Sequence, residues 1–157
     1  MDQILPVILK NTYSLTQFKH RLSVLKSFLL LSFFGGSPHT LNQKDEAFLK
    51  SLPESFFNEF NKDNIYNLLN DLENRIKKLP SLTIYLTFET DDQTLSQIGE
   101  FARKTYNPSL MLDVKLDPSL IAGTAFSWKG VYKDYSLKAK LAEKKEEILQ
   151  SFKKYLR

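Results

Sequence analysis

Apolar residues in the first half of the chain recur at helical spacing. The clearest segment follows Ser14, which forms a capping-box pattern with Gln17. Its apolar stripe consists of Phe18, Leu22, Leu25, Leu29 and Phe33, widened by Val24, Phe28 and Leu31. This spacing predicts a helix from Leu15 to Phe34, which Gly35 and Gly36 end. Because polar residues become sparse in residues 28–34, we expect that stretch to be buried nearly all round, by this chain or by a partner.

Three further helical segments are predicted before residue 80. Residues 42–52 form the first, and its inward residues are Ala47, Phe48 and Leu49. A short helix restarting at Pro53 brings three phenylalanines into apolar contacts, namely Phe56, Phe57 and Phe60. Asp63 or Asn64 caps the last segment. Its apolar face is Ile65, Leu68, Leu69, Leu72, Ile76 and Leu79.

The period of the pattern changes to two after residue 80, which indicates half-buried strands. In residues 82–88 the apolar positions are Leu82, Ile84, Leu86 and Phe88. In residues 109–116 they are Leu110, Leu112, Val114 and Leu116, with Met111 on the polar side. Between the strands, Thr90 to Gln93 is a second capping-box candidate. The apolar face of the helix after it is Leu95, Ile98, Phe101 and Ala102. A right-handed crossover would make the two strands parallel.

After the second strand the sequence predicts a turn and a β-hairpin. Asp117-Pro118 favours a turn, because proline restricts the residue before it. Ile121 is expected to start an extended run in which Gly123 permits a bend or a close backbone approach. Lys129-Gly130 is typical of the tight turn of a hairpin.

A last helix follows the hairpin, and Asp134 or Ser136 can cap it. Its apolar side is formed by Leu137, Leu141, Ile148, Phe152 and Leu156. The predicted fold class is therefore α+β. A helical bundle, residues 1–80, precedes a small strand-helix-strand-hairpin-helix domain, residues 81–157.

Composition narrows the class of protein. Apolar residues make up 42% of the chain and charged residues 25%, as in folded soluble proteins. Cysteine is absent, which excludes disulfides and thiolate metal sites. The longest apolar run, Phe28 to Phe34, is far shorter than the ~20 residues of a membrane-spanning helix. We therefore expect a soluble protein.

The positive charge is concentrated at one end. The net charge is +4, and residues 135–157 hold seven Lys or Arg against three Glu, which accounts for the whole excess. Such a basic end can meet an acidic protein, a lipid surface or nucleic acid. A solvated helix face explains any single one of these lysines more simply.

No constellation of residues indicates catalysis. The two histidines, His20 and His39, have no carboxylate or cysteine at ligand spacing, so surface positions explain them better than a metal site. The glycines form neither a P-loop nor a dinucleotide fingerprint. Ser14, Ser119 and Ser136 stand at capping or turn positions without a histidine base nearby in the sequence. We predict no catalytic residue, no metal and no cofactor.

Aromatic residues indicate candidate partner interfaces instead. Trp128, Tyr132 and Tyr135 cluster at the predicted hairpin beside two lysines, a mixture that suits a protein interface. Trp128 can equally pack under the last helix, and the same mixture can stack nucleic-acid bases. In the bundle, the excess apolar surface at Phe28, Phe33 and Phe34 is a candidate docking face.

Two short motifs carry a resemblance to a known family. The first is Asp117, Pro118, Ser119, Leu120, Ile121 and Gly123, and ten residues later come Asp134, Ser136, Leu137, Lys138 and Leu141. They resemble the C-terminal signature of the delta subunit of F-type ATP synthases, whose mitochondrial counterpart is the oligomycin-sensitivity-conferring subunit. Ala122 and Tyr135 replace glycines of the family pattern, and Ser127 stands where a basic residue is common.

The resemblance covers roughly residues 80–157. The family has a six-helix N-terminal bundle of about a hundred residues, so the bundle expected here is shortened and divergent. The resemblance implies a non-catalytic stator subunit of the peripheral stalk. In the family the bundle grips N-terminal helices of the alpha subunits at the catalytic head, and the C-terminal domain receives the ends of the b-type stalk subunits.

The same resemblance implies no cofactor, no direct contact with nucleic acid, and attachment to the membrane only through the complex. The expected location is the cytoplasmic side of a bacterial plasma membrane. The alternative that the residues leave open is a small basic adaptor that binds RNA or protein through its C-terminal helix and hairpin.

Overall fold

The structure, a computed structural model, describes residues 4–36 and 41–155. Their helices are α1 Ile4–Leu9, α2 Leu15–Phe34, α3 Gln43–Ser51, α4 Glu54–Phe57, α5 Ile65–Lys77, α6 Asp92–Thr105, α7 Leu137–Glu143 and α8 Lys145–Tyr155. Their strands are β1 Ser81–Leu86, β2 Met111–Leu116, β3 Thr124–Trp128 and β4 Val131–Asp134. The predicted α+β class is confirmed. His39 and Leu156 lie outside the described residues.

Contacts within the chain define two compact units. The helical unit comprises Met1–Pro80 together with Ser96–Met111, and the sheet unit comprises Ser81–Leu95 together with Leu112–Arg157. The sequence predicts two domains that meet at residue 80. Contacts do not test whether each segment folds independently, so the division into domains stays a prediction.

The central helix of the helical unit, α2, confirms the predicted capping box and bounds. Ser14 Oγ accepts the backbone N–H of Gln17 at 3.1 Å, and Gln17 Oε1 accepts the backbone N–H of Ser14 at 3.4 Å. At the other end Gly35 adopts a φ of 73° and donates to the Leu31 carbonyl. The chain itself buries only one side of residues 28–34, because a single helix stripe faces the core, and burial of the other side by a partner stays a prediction. Phe34 is 56% exposed, whereas Leu29 is buried.

The core of the helical unit joins α1 to α5. Its large side chains include Ile4, Ile8, Phe18, Leu25, Phe48, Phe56, Phe60, Ile65, Leu69 and Leu72. Ala47 was predicted to face inward but is exposed, and Asp45 on the same helix is buried instead. Asn64 precedes α5 as predicted, but its side chain makes no cap bond to that helix; it accepts the Asn61 backbone N–H.

Arg103 of α6 ties distant segments of the helical unit together. Its guanidinium donates to the carbonyls of Leu9, at 2.7 Å, Thr12, and Leu110, at 3.0 Å. The guanidinium also lies over the Tyr13 ring, 4.7 Å from its centroid. Burial lowers the pKa of Arg103, yet three carbonyl acceptors compensate the lost water.

The sheet has the strand order β2-β1-β3-β4. β1 pairs with β3 and β3 with β4 in antiparallel registers that place Ile84 opposite Phe126, and Phe126 opposite Lys133. Between β1 and β2, the Met111 N–H donates to the Pro80 carbonyl and the Asp117 N–H to the Leu86 carbonyl. Both partners advance in the same direction along the chain, which confirms the predicted parallel pair.

Several predicted core positions of this half of the chain are corrected. β1 ends at Leu86, and Phe88 beyond it is exposed, as are Leu116 at the end of β2 and Phe101 on α6. Met111, predicted on the polar side of its strand, is fully buried because it joins the core of the helical unit. The last helix is two helices, with Lys144 between α7 and α8 at a φ of −96° and a ψ of 9°. The Lys144 N–H still donates to the Lys140 carbonyl and the Ile148 N–H to the Lys144 carbonyl, so helical hydrogen bonding continues on both sides of Lys144. All of residues 140–154 are exposed.

Gly99, in the middle of α6, generates a stability prediction. A Cβ at this position would lie 2.6 Å from Tyr13 Cγ and would overlap the ring. Alanine normally stabilises a helix interior relative to glycine by about 1 kcal/mol. We expect Gly99→Ala to destabilise the chain instead, by about 1–3 kcal/mol in urea unfolding, because Tyr13 must move. Gln97→Ala, at an exposed position of the same helix, is the control. An unchanged or higher midpoint for Gly99→Ala would contradict the packing.

Candidate partner-binding site

The first half of the family signature forms a capped turn. Pro118–Leu120 is a 3-10 helix with proline at its start, and Asp117 Oδ1 accepts the Ser119 backbone N–H at 3.0 Å. Leu120 is buried beneath this turn. The expected extended run does not begin at Ile121, which has a φ of 69°; β3 begins at Thr124. The Asp-Pro pair therefore starts a helical turn before the chain enters β3.

The two halves of the signature meet through the backbone. The Leu137 N–H donates to the Ala122 carbonyl at 2.8 Å, and the Tyr135 N–H donates to the Thr124 carbonyl at 2.9 Å. Gly123 has a φ of 84°, and a Cβ there would lie 2.7 Å from the Tyr135 carbonyl oxygen. The predicted close approach at this glycine is confirmed, and it explains why the position requires glycine.

Both predicted caps of the following helix take part. Ser136 is buried, and its Oγ accepts the Ala139 backbone N–H at 3.1 Å. Asp134 Oδ1 accepts the Ser136 backbone N–H at 2.8 Å. Hydrogen bonds from the Ser136 side chain and backbone hold the pKa of Asp134 below its ordinary value. The residues of the predicted signature, Leu141 excepted, thus lie in one corner, which is formed by 117–123 and 134–139 and is called the signature corner below.

The hairpin carries the predicted aromatic cluster. Lys129 and Gly130 both have positive φ, 49° and 80°, which is the type I′ turn expected of a two-residue hairpin. Tyr132 is 55% exposed and Tyr135 53%. Trp128 is half-buried, and the Lys129 ammonium lies 5.5 Å from its ring centroid. An interface role for these three aromatic residues stays a prediction.

The three phenylalanines at the apolar end of α2 differ in burial. Phe33 packs partly against the core, whereas Phe28 and Phe34 are exposed. Phe28 contacts Phe57 with ring centroids 5.5 Å apart, and the Lys62 ammonium lies 5.8 Å from the Phe34 centroid. Phe28 and Phe34 thus offer aromatic surface, and their role as a docking face likewise stays a prediction.

A second apolar surface lies on α7 and α8, a segment that the sequence marks as a binding patch only under the alternative of a basic adaptor. The large side chains of α7 and α8 are exposed by 36–61%, and they are Leu137, Leu141, Ile148, Leu149 and Phe152. The signal that could have identified them is the density of lysines in the same helices, since a helix packed on both sides would carry fewer charges.

Polar groups offer little chemistry. His20 Nε2 lies 2.7 Å from Asp45 Oδ1, a partner 25 positions away that the sequence analysis missed. Among residues 4–36 and 41–155, no group of three or more His, Asp or Glu side chains could hold a metal ion. Within the same ranges no helix is long and apolar enough to cross a membrane.

One family model matches the chain, that of the ATP synthase delta (OSCP) subunit, over residues 26–148. The match begins within α2, so the likeness, expected from about residue 80, extends well into the N-terminal half. No curated protein matches the chain significantly.

The geometry of the signature corner predicts that alanine at Gly123 lowers the free energy of unfolding by more than alanine at Gly130 does. Gly123 and Gly130 have nearly the same positive φ, but a Cβ at Gly130 meets no atom within 4 Å. We expect Gly130→Ala to cost about 1–2 kcal/mol from φ alone. Gly123→Ala should cost about 1–3 kcal/mol more, because the Tyr135 carbonyl must shift. Equal losses in chemical denaturation would show that the contact is unimportant.

The lowered pKa of Asp134 predicts that the stability of the signature corner depends on pH. A carboxylate with a lowered pKa stabilises the fold at neutral pH, and that contribution is lost as the pH falls below about 4. Asp134→Asn should therefore lower the Tm at pH 7, and its difference from the wild type should shrink towards pH 2. Glu143→Gln controls for the removal of one negative charge. A difference independent of pH would rule out this carboxylate.

Proposed function

The chain belongs to the ATP synthase delta (OSCP) subunit family, and from this premise we propose that it joins the catalytic head of an F-type ATP synthase to the b-type peripheral stalk. Members of this family are non-catalytic stalk subunits. The family match over residues 26–148 is the observation that carries the proposal, because it spans parts of both units.

A stator subunit works by holding two partners at once. The head must not turn with the central shaft, so each contact has to persist under torque, and slow dissociation depends on well-packed apolar anchors. Large exposed apolar side chains occur in the helical unit and in the sheet unit. This distribution supports a protein with two interfaces.

For the helical unit we propose the alpha subunits as partner. An amphipathic helix binds by laying its apolar face against an apolar surface. The exposed rings of Phe28 and Phe34 support a docking face at the end of α2, and Lys62 beside Phe34 can pair with an acidic residue of the partner.

For the sheet unit we propose the b-type subunits. Trp128, Tyr132 and Tyr135 present aromatic surface next to Lys129 and Lys133, a combination that favours protein interfaces. The chain would then reach the membrane only through the complex. We propose the cytoplasmic side of a bacterial plasma membrane as its location.

Affinity capture tests the proposal. The tagged full chain is used to capture partners from solubilised membranes of the native host, and mass spectrometry identifies them. We expect alpha, beta and b subunits. Recovery of RNA or ribosomal proteins without synthase subunits would instead establish the basic adaptor and overturn the stator role.

The α2 end gives a sharper variant test. We expect Phe34→Ala to change the free energy of unfolding by less than about 0.5 kcal/mol, because the ring is exposed, and to reduce recovery of the alpha subunit. Phe101→Ala removes a phenylalanine of the helical unit that is more exposed than Phe34, and it should leave recovery unchanged. Phe33→Ala should destabilise the chain, since this ring packs on the core. Full recovery with Phe34→Ala would remove Phe34 from the interface.

A further inference from the structure

Ile121 is a β-branched residue with a positive φ in the sheet unit. Its φ is 69° and its ψ −55°, and the Ala122 N–H donates across it to the Leu120 carbonyl at 2.8 Å. This is a γ-turn of the rare, strained form with positive φ. Among the described residues, Lys129 is the other non-glycine with positive φ, and the hairpin turn accounts for it. A β-branched residue in this region has no such explanation.

The neighbours of Ile121 impose the conformation. Leu120 is buried on one side, and the Ala122 carbonyl accepts the Leu137 N–H on the other. Two anchored neighbours leave the residue between them little freedom, so the surroundings over-determine its φ and ψ. The family signature thus holds Ile121 in place.

The Ile121 side chain gains little from the fold in return. It is 60% exposed, and glycine or asparagine would adopt this conformation with less strain. An exposed, apolar, β-branched residue is therefore the wrong choice for stability alone. Strained residues that persist in this way concentrate at binding sites, where they preorganise a contact.

An uncovered apolar row begins next to Ile121. Leu137, whose N–H bonds to Ala122, starts a row that continues with Leu141, Ile148 and Phe152 at helical spacing, and all four are exposed. Residues 138–154 hold six lysines against three glutamates. The surface is thus an apolar row in a basic surround, and its complement is an apolar row flanked by acidic residues.

We propose that Ile121 is a preorganised anchor for an acidic amphipathic helix of the stalk, which docks along α7 and α8. This inference rests on the proposed function and adds the chemistry of the partner and the residue that fixes its position. Lys144 falls in helical register between Leu141 and Ile148, so the bound helix carries a glutamate or aspartate near the middle of its apolar row.

Opposite effects on stability and binding test the anchor. In the full chain, Ile121→Asn relieves the strained φ and should raise the Tm by about 2–4 °C. The same change should weaken capture of the stalk subunits at least about tenfold, because it removes a buried anchor of the interface. Ile121→Val keeps the branched apolar side chain, so it should leave both quantities near those of the wild type.

The capture results distinguish failure of the Ile121 anchor from failure of the proposed stator role. Loss of the stalk subunits with retention of alpha in Ile121→Asn supports the anchor. Equal recovery of the stalk subunits with Ile121→Asn overturns the anchor and leaves the stator role standing. If the wild type recovers no synthase subunit, both fail.

The identity of the occupant is tested by cross-linking. p-Benzoylphenylalanine replaces Ile148 in the full chain, and the assembled complex is irradiated before mass spectrometry. We expect a cross-link to a helical, Glu- and Asp-rich segment of another synthase subunit. A cross-link to a second copy of this chain, to lipid, or to a basic segment overturns the proposed occupant.

Discussion

The close approach of Gly123 to the Tyr135 carbonyl is the constraint on which the signature corner depends. It brings the 3-10 turn against the start of α7, and the bond from Leu137 to Ala122 then joins the two. Asp117, Asp134 and Ser136 satisfy the backbone groups that this geometry leaves unpaired. The residues of the predicted signature in this corner therefore set its backbone geometry.

Arg103 does comparable work in the helical unit. One guanidinium donates hydrogen bonds to the carbonyls of Leu9 and Thr12 and to that of Leu110, so it joins two segments that lie far apart in the sequence. The acceptors of the Arg103 guanidinium are neutral backbone carbonyls, so its partial burial is compensated without a buried carboxylate. Gly99, one turn earlier, leaves room for Tyr13, whose ring lies against the guanidinium. Residues 96–111 thereby belong to the helical unit although they follow β1 in the chain.

Each unit buries apolar side chains in a core but also leaves large apolar side chains exposed to solvent. Phe34 in the one, and Ile121 and Phe152 in the other, are each more than half exposed. A non-catalytic subunit has its function in such surfaces, because binding energy comes from apolar groups that the fold itself does not bury. Stability and binding therefore favour different residues at position 121. An apolar, branched side chain suits the proposed partner, but it strains the backbone of the isolated chain.

Local signals in the sequence determined the capping box of α2, the parallel strand pair, the type I′ hairpin and the family signature. Each depends on residues within a few positions or on a regular period, which the sequence displays directly. Tertiary structure alone decided the burial of Met111, the pair of His20 with Asp45 and the exposure of Phe88. Those outcomes depend on what lies opposite a residue, and neighbours distant along the chain leave no trace in local periodicity.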